Sequence, residues 1–200
     1  MQRYDLYQDM ANRTGGDIYI GVIGGVRTGK STFIKRFMDE VVLNRMEDER
    51  QKARTQDELP QSASGRTIMT TEPKFIPNEP VELTVGDNIQ FRVRMIDCVG
   101  YLVPGAEGHM DGEMPRMVHT PWSSDPMPFE MAAEMGTKKV INDHSTIGIV
   151  VTTDGSITDI PRENYVQAEE RVISELKELG KPFVVLLNST HPYDQKTVEL

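Results

Sequence analysis

Two hundred residues with 38% hydrophobic content suffice for one globular domain with its own core, which argues against a disordered tail. Against 31 acidic side chains stand 22 basic ones, and the net charge of −9 repels phosphate backbones and anionic lipid, excluding bulk nucleic-acid binding. The single cysteine, Cys98, with no CxxC or Cys/His cluster near it, excludes an intramolecular disulfide and a structural zinc and points to a reducing, cytoplasmic setting.

The first residues carry Asp5 and Asp9 and no apolar stretch, and the longest apolar runs, 147–151 and 183–187, are far short of the roughly 18 residues that span a bilayer. Neither export nor a membrane span is expected. Residues 17–24 form a β-branched run ending in glycine, and Phe33, Ile34, Phe37, Met38, Val41 and Val42 then recur at helical spacing. Between strand and helix lies Gly24-Gly25-Val26-Arg27-Thr28-Gly29-Lys30-Ser31, a complete G-x-x-x-x-G-K-[ST] loop. In that context backbone N–H groups and the positive end of a helix surround a phosphate, and glycines admit it closely. Lys30 then reaches the β/γ-phosphates, and Ser31, with Thr32 beside it, places hydroxyls at the magnesium and phosphate positions.

Residues 44–77 are long and mixed in charge, which reads as a solvated helix and loop that could act as a switch segment. Thr70 and Thr71, with Thr67 behind them, are the threonines placed to close over magnesium and γ-phosphate. Residues 89–97 alternate towards Asp97-Cys-Val-Gly100, a D-x-x-G element in which Asp97 holds magnesium and the Gly100 N–H senses the γ-phosphate. Tyr101 then stands where a water-orienting glutamine is common, and a phenol cannot reproduce the amide's paired donor and acceptor. Arg27 and Arg66 read as surface cations, with transition-state charge as the alternative.

The stretch 103–128 holds five of the twelve prolines and the only tryptophan, Trp122, and reads as an irregular, switch-like excursion. Two continuous apolar runs, 147–151 and 183–187, suit parallel strands buried on both faces. Between them 161–179 is helical by the spacing of Val166, Val172, Ile173, Leu176 and Leu179, opened by Pro161 and closed by Gly180. At the end of the second run, Asn188-Ser189-Thr190-His191 replaces the N-K-x-D that selects guanine, so the base expected is adenine. His109, His119, His144 and His191 lack metal-ligand spacing. The whole predicts an α/β P-loop NTPase of one domain, 1–200, with a mostly parallel sheet, flanking helices and a GTPase-like topology, working on ATP with Mg²⁺.

Several runs together resemble the stage IV sporulation protein A family of spore-coat morphogenetic ATPases. They are Arg13-Thr-Gly-Gly-Asp-Ile-Tyr-Ile-Gly-Val22, the phosphate loop through Lys35, 56–65, Thr67-Ile-Met-Thr-Thr-Glu-Pro-Lys-Phe75, Asp97-Cys-Val-Gly-Tyr101, Asp143-His-Ser-Thr-Ile-Gly148 and Thr153-Asp-Gly155. The resemblance implies a translation-factor-related ATPase whose turnover drives self-assembly into a layer on the mother-cell face of the forespore outer membrane. It carries over Lys30, Asp97, Thr70 and Thr71 as nucleotide residues. It also implies partners, namely further copies of itself, other spore-coat proteins and a small membrane-bound amphipathic peptide, met mainly through regions beyond residue 200. Family members are more than twice as long, so an N-terminal nucleotide-binding fragment is expected. Two other readings stand beside this one: a nucleotide-bound scaffold with little turnover, and a GTP-dependent switch.

Overall fold

The structure is a computed structural model that describes residues 16–46, 48–60, 72–85 and 89–200. Thr67, Thr70, Thr71 and Arg66 lie outside the described residues. The first strand, β1 (Asp17–Gly24), runs into α1 (Lys30–Phe37), which continues through a π turn (Met38–Val42) and a 3-10 turn (Leu43–Arg45). Ile34, Met38 and Val42 are buried four residues apart on one face, as the apolar spacing predicts. Next comes α2 (Glu49–Asp57), where the Asp48 carboxylate caps the helix by accepting from the backbone N–H groups of Arg50 and Gln51 at 2.8 and 3.2 Å. Only Thr55 of this helix is buried, so the charged first part of 44–77 is a solvated helix.

Two strands follow, β2 (Lys74–Val85) and β3 (Ile89–Asp97), paired antiparallel. Sequence patterning hides β2 because Pro77 and Pro80 interrupt its period; the register shift between Ile76 and Val81 spans both prolines, at a sheet edge where missing N–H donors are tolerated. The stretch 103–128 is irregular only over 103–109. The rest folds into two hairpins, β4 (Met110–Asp111) with β5 (Met114–Pro115) and β6 (Met117–Thr120) with β7 (Ser123–Pro128), held in line by the Arg116 N–H donating to His109 O at 2.9 Å. The unanticipated α3 (Phe129–Lys139) comes next and buries Phe129, Ala132, Ala133 and Gly136. Their spacing of three and four is helical, and full burial of the Phe129 ring alone contributes about 1.5–3 kcal/mol.

The chain closes with β8 (Ile147–Thr153), α4 (Glu163–Glu178), β9 (Phe183–Asn188) and the short α5 (Gln195–Val198). The main sheet has the order β2-β3-β1-β8-β9, with every pair parallel except β2 with β3. β1 lies at its centre and feeds both faces. Ile18 and Val22 join α1, Val81 and Met95 in one core, whereas Ile23 joins Phe129 of α3 and Tyr165, Val172 and Leu176 of α4 in the other. This is the expected α/β sandwich with flanking helices, and it delivers the β1–α1 turn to the middle of the sheet's carboxyl edge, where open α/β sheets bind ligands.

Two details depart from the sequence reading. Val166 and Leu179 of the last long helical segment are exposed, because Tyr165 and Ala168 take the core face in their place. β9 exposes Val184 and Val185 and is an edge strand among the described residues, not one buried on both faces. No helix among the described residues is long and apolar enough to cross a membrane.

Candidate phosphate-binding site

The turn between β1 and α1 begins at Gly24, whose carbonyl accepts from the Tyr101 N–H at 3.1 Å, while the Val26 N–H donates to Tyr101 O at 2.9 Å. Gly25 and Tyr101 thereby form a parallel bridge that stitches the turn to the end of the D-x-x-G element. Arg27 sits at φ 62, a left-handed conformation uncommon for a residue with a Cβ. Thr28 is fully buried, with its hydroxyl donating to Gly25 O at 3.1 Å. Gly29 caps α1 from φ 93, and a Cβ there would drive into the Asn188 amide, so glycine is needed for both backbone and space.

Lys30 is 5% exposed, and its Nζ donates to Gly25 O at 2.6 Å, which curls the side chain back under the loop. Burial pushes its ammonium below the ordinary lysine range, against the opposing pull of Cys98 and Asp97. At the end of β3, the Ser31 hydroxyl donates to Asp97 Oδ2 at 2.6 Å. Burial raises the Asp97 carboxyl, and the Ser31 hydrogen bond and the Lys30 charge partly offset that rise. Its other oxygen, Oδ1, is buried without a hydrogen-bond partner of good geometry. An orphaned carboxylate oxygen beside a serine hydroxyl is a hard-oxygen donor pair of the type magnesium takes, so the residues fit that ion.

Of the residues singled out in the sequence, the fold brings together 24–31, Asp97, Gly100 and Asn188. The Asn188 amide donates from Nδ2 to Thr28 O at 3.1 Å, bracing the loop from the end of β9. Thr32 is exposed on the first turn of α1. Gly100 corrects one expectation. Its N–H donates to the Thr137 hydroxyl at 3.2 Å, so in this structure that group is committed to α3 and not offered to a phosphate. Thr137 is fully buried and was silent in the sequence, since only the fold brings α3 to the strand end.

Tyr101 is 4% exposed and turns its ring into the α4 side of the core. Its hydroxyl donates to Glu175 Oε2 at 2.5 Å, and the Arg171 guanidinium lies 4.0 Å from its ring centre. Arg171 in turn bonds Glu175 on its own helix and Glu134 on α3. Tyr101→Phe is therefore expected to cost about 1–2 kcal/mol of stability, as thermal unfolding checks, and an unchanged midpoint would show that the Glu175 hydrogen bond adds nothing to the fold. Cys98 is buried with its thiol pushed up to about 11 by desolvation, which suits a packing residue and not a nucleophile.

The family described as "Stage IV sporulation protein A, ATPase domain" matches residues 1–200. Stage IV sporulation protein A of Bacillus anthracis is 58% identical over 200 residues, covering 100% of this chain and 41% of the relative. That of Bacillus subtilis (strain 168) is 59% identical over 197 residues, covering 98% and 40%, and that of Clostridioides difficile (strain 630) is 59% identical over 193 residues, covering 96% and 39%. The chain thus spans about two fifths of the length of these relatives. Among solved structures, a dimerization-deficient mutant of Toc33 from Arabidopsis thaliana aligns with a TM-score of 0.39 and 13% identity, covering 93% of this chain and 77% of that one.

Proposed function

Since the chain belongs to the stage IV sporulation protein A family and carries its ATPase domain, we propose that it binds Mg-ATP and hydrolyses it to drive self-assembly of a spore-coat basement layer. The place proposed for that layer is the mother-cell face of the forespore. Further copies of the protein, other coat proteins and a small membrane-bound amphipathic peptide are its proposed partners, reached mainly through sequence beyond residue 200. One observation carries the nucleotide reading: the Ser31–Asp97 pair at 2.6 Å beside a buried Lys30, all at the mouth of one strand-to-helix turn.

In this reading Lys30 leaves Gly25 O to pair with the β/γ-phosphates, and α1 directs its N-terminus at them. Ser31 and Asp97 are the residues that would hold magnesium, which supplies charge neutralisation for the transferring phosphoryl group. Asn188 keeps the Thr28 carbonyl, and hence the loop, in place while phosphates enter. Thr70 and Thr71 are the proposed sensing threonines on the opposite side.

A second reading, a bound-nucleotide scaffold with little turnover, draws support from Tyr101, whose phenol is committed to Glu175 and cannot orient a water. A GTP-dependent switch draws no such support, since no acidic residue stands in the Asn188-Ser189-Thr190-His191 turn. Turnover of ATP and GTP with Mg²⁺, and again with chelator, separates the three. ATP turnover lost on chelation supports the enzyme, tight ATP binding without turnover supports the scaffold, and preference for GTP sinks both.

A further inference from the structure

Asp154 follows β8 and fastens two loops that meet beside the phosphate-binding turn. Its Oδ1 accepts from the Ser156 N–H at 2.9 Å and the Ser156 hydroxyl at 2.6 Å. Its Oδ2 accepts from the Ser189 hydroxyl at 2.5 Å and the Thr197 hydroxyl at 3.3 Å. Both serines pass this order to the main chain after β9. The Thr190 N–H donates to Ser156 Oγ at 2.9 Å, and the His191 N–H donates to Ser189 Oγ at 2.8 Å. With Asn188 bonded to Thr28 O, each residue of the turn 188–191 is tied either to the phosphate loop or, through a serine, to Asp154.

That turn occupies the place where related switches read the base. With four donors a carboxylate's acceptor capacity is filled, so Asp154 has nothing left to offer a base edge itself. Desolvation, the largest single influence, pushes its carboxyl up, yet the donors together outweigh it and bring the carboxyl down to about 2. The group is an ionised anchor throughout the neutral range. The loop that carries it also runs beside the phosphate loop, with Ile157 Cδ1 3.9 Å from where a Cβ on Gly29 would stand.

We propose that Asp154 is the positioning residue for purine recognition, fixing the 188–191 turn against which the base of the nucleotide packs. The proposal rests on the reading of this site as a nucleotide site. Its signature is a split between ligands, because inorganic tripolyphosphate uses the phosphate loop and has no base. An asparagine at 154 removes the charge and replaces one oxygen by an N–H₂ that cannot accept the Ser189 and Thr197 hydroxyl hydrogens, so the turn's anchor is weakened while the loop 24–31 keeps its own hydrogen bonds.

Calorimetric titration of the chain with Mg-ATP and with Mg-tripolyphosphate tests it, using wild type, Asp154→Asn and Ser189→Ala. The expected result is an ATP Kd raised at least about tenfold by Asp154→Asn and about three- to tenfold by Ser189→Ala, with the tripolyphosphate Kd within about twofold of wild type. Equal weakening of both ligands, or no change in either, overturns the assignment. Where Asp154→Asn does not fold, Ser189→Ala decides by the same ratio, because it deletes one hydroxyl and leaves the Asp154–Ser156 bonds intact. A wild-type chain that binds neither ligand overturns the nucleotide reading itself, an outcome distinct from binding both with an unchanged ratio.

Discussion

Lys30→Ala is expected to lower ATP turnover by at least about 10²-fold and to do so without unfolding the protein. Lys30 is a buried cation brought out of water at the start of α1 with a backbone carbonyl, Gly25 O, 2.6 Å from its Nζ. Such a group is costly to the fold, as its depressed proton affinity records, and alanine is also the better helix former. Removing it relieves that cost but also takes a neighbouring charge from buried Asp97, so the thermal midpoint is expected to stay close to that of the wild type. The phosphate site, by contrast, loses its point charge at the position where negative charge gathers in the transition state. Steady-state turnover measured beside thermal unfolding checks both halves. Full turnover in the variant would show that the loop is a structural turn, and collapse of the fold would show that the lysine's hydrogen bond outweighs its desolvation.

The second large effect is expected from Gly100→Ala. Gly100 has φ +92, and a Cβ built on it falls inside the contact distance of the Gly24 carbonyl oxygen and 2.6 Å from Lys30 Nζ. The conformation alone costs about 1–3 kcal/mol for a residue with a side chain, and the carbonyl belongs to a backbone that cannot rotate away. Either the D-x-x-G end moves off the phosphate loop, breaking its two hydrogen bonds, or the domain unfolds. Both outcomes are measurable, the first as a loss of nucleotide affinity with modest loss of stability, the second as a midpoint lowered by several degrees or more. A variant with wild-type stability and affinity would mean that the strand end and the loop are not packed as described.

The phosphate loop and Asp97 are legible in the sequence because each is fixed by local order: a strand, a turn of required glycines, a helix, and later a second strand ending in a carboxylate. The parallel core is legible for a similar reason, since 17–24 and 147–151 are apolar runs and 89–97 alternates towards an apolar end, patterns that need no partner to be recognised. What the sequence conceals depends on distant neighbours. β2 is masked by Pro77 and Pro80, which a central strand would reject and an edge strand accepts. Tyr101 reads as a site residue from its position after Gly100, yet its ring direction is decided by Glu175, 74 positions along the chain, and by Arg171 on the same helix. Asp154 lies in a loop, where Asp is ordinary. Ser156 two residues on was a faint signal for a local Asx turn, but only the adjacency of β8 and β9 brings Ser189 to the same carboxylate.

The bridge between Gly25 and Tyr101 has a mechanical side. Two peptide hydrogen bonds join the phosphate loop to the residue that leaves the D-x-x-G element, and the same residue's hydroxyl is anchored to Glu175, whose helix is tied through Arg171 to Glu134 on α3. The floor of the site and two helices of one outer layer are therefore joined by one continuous run of hydrogen bonds and ion pairs that passes through Tyr101, so the loop and the α3 and α4 surfaces share a common brace.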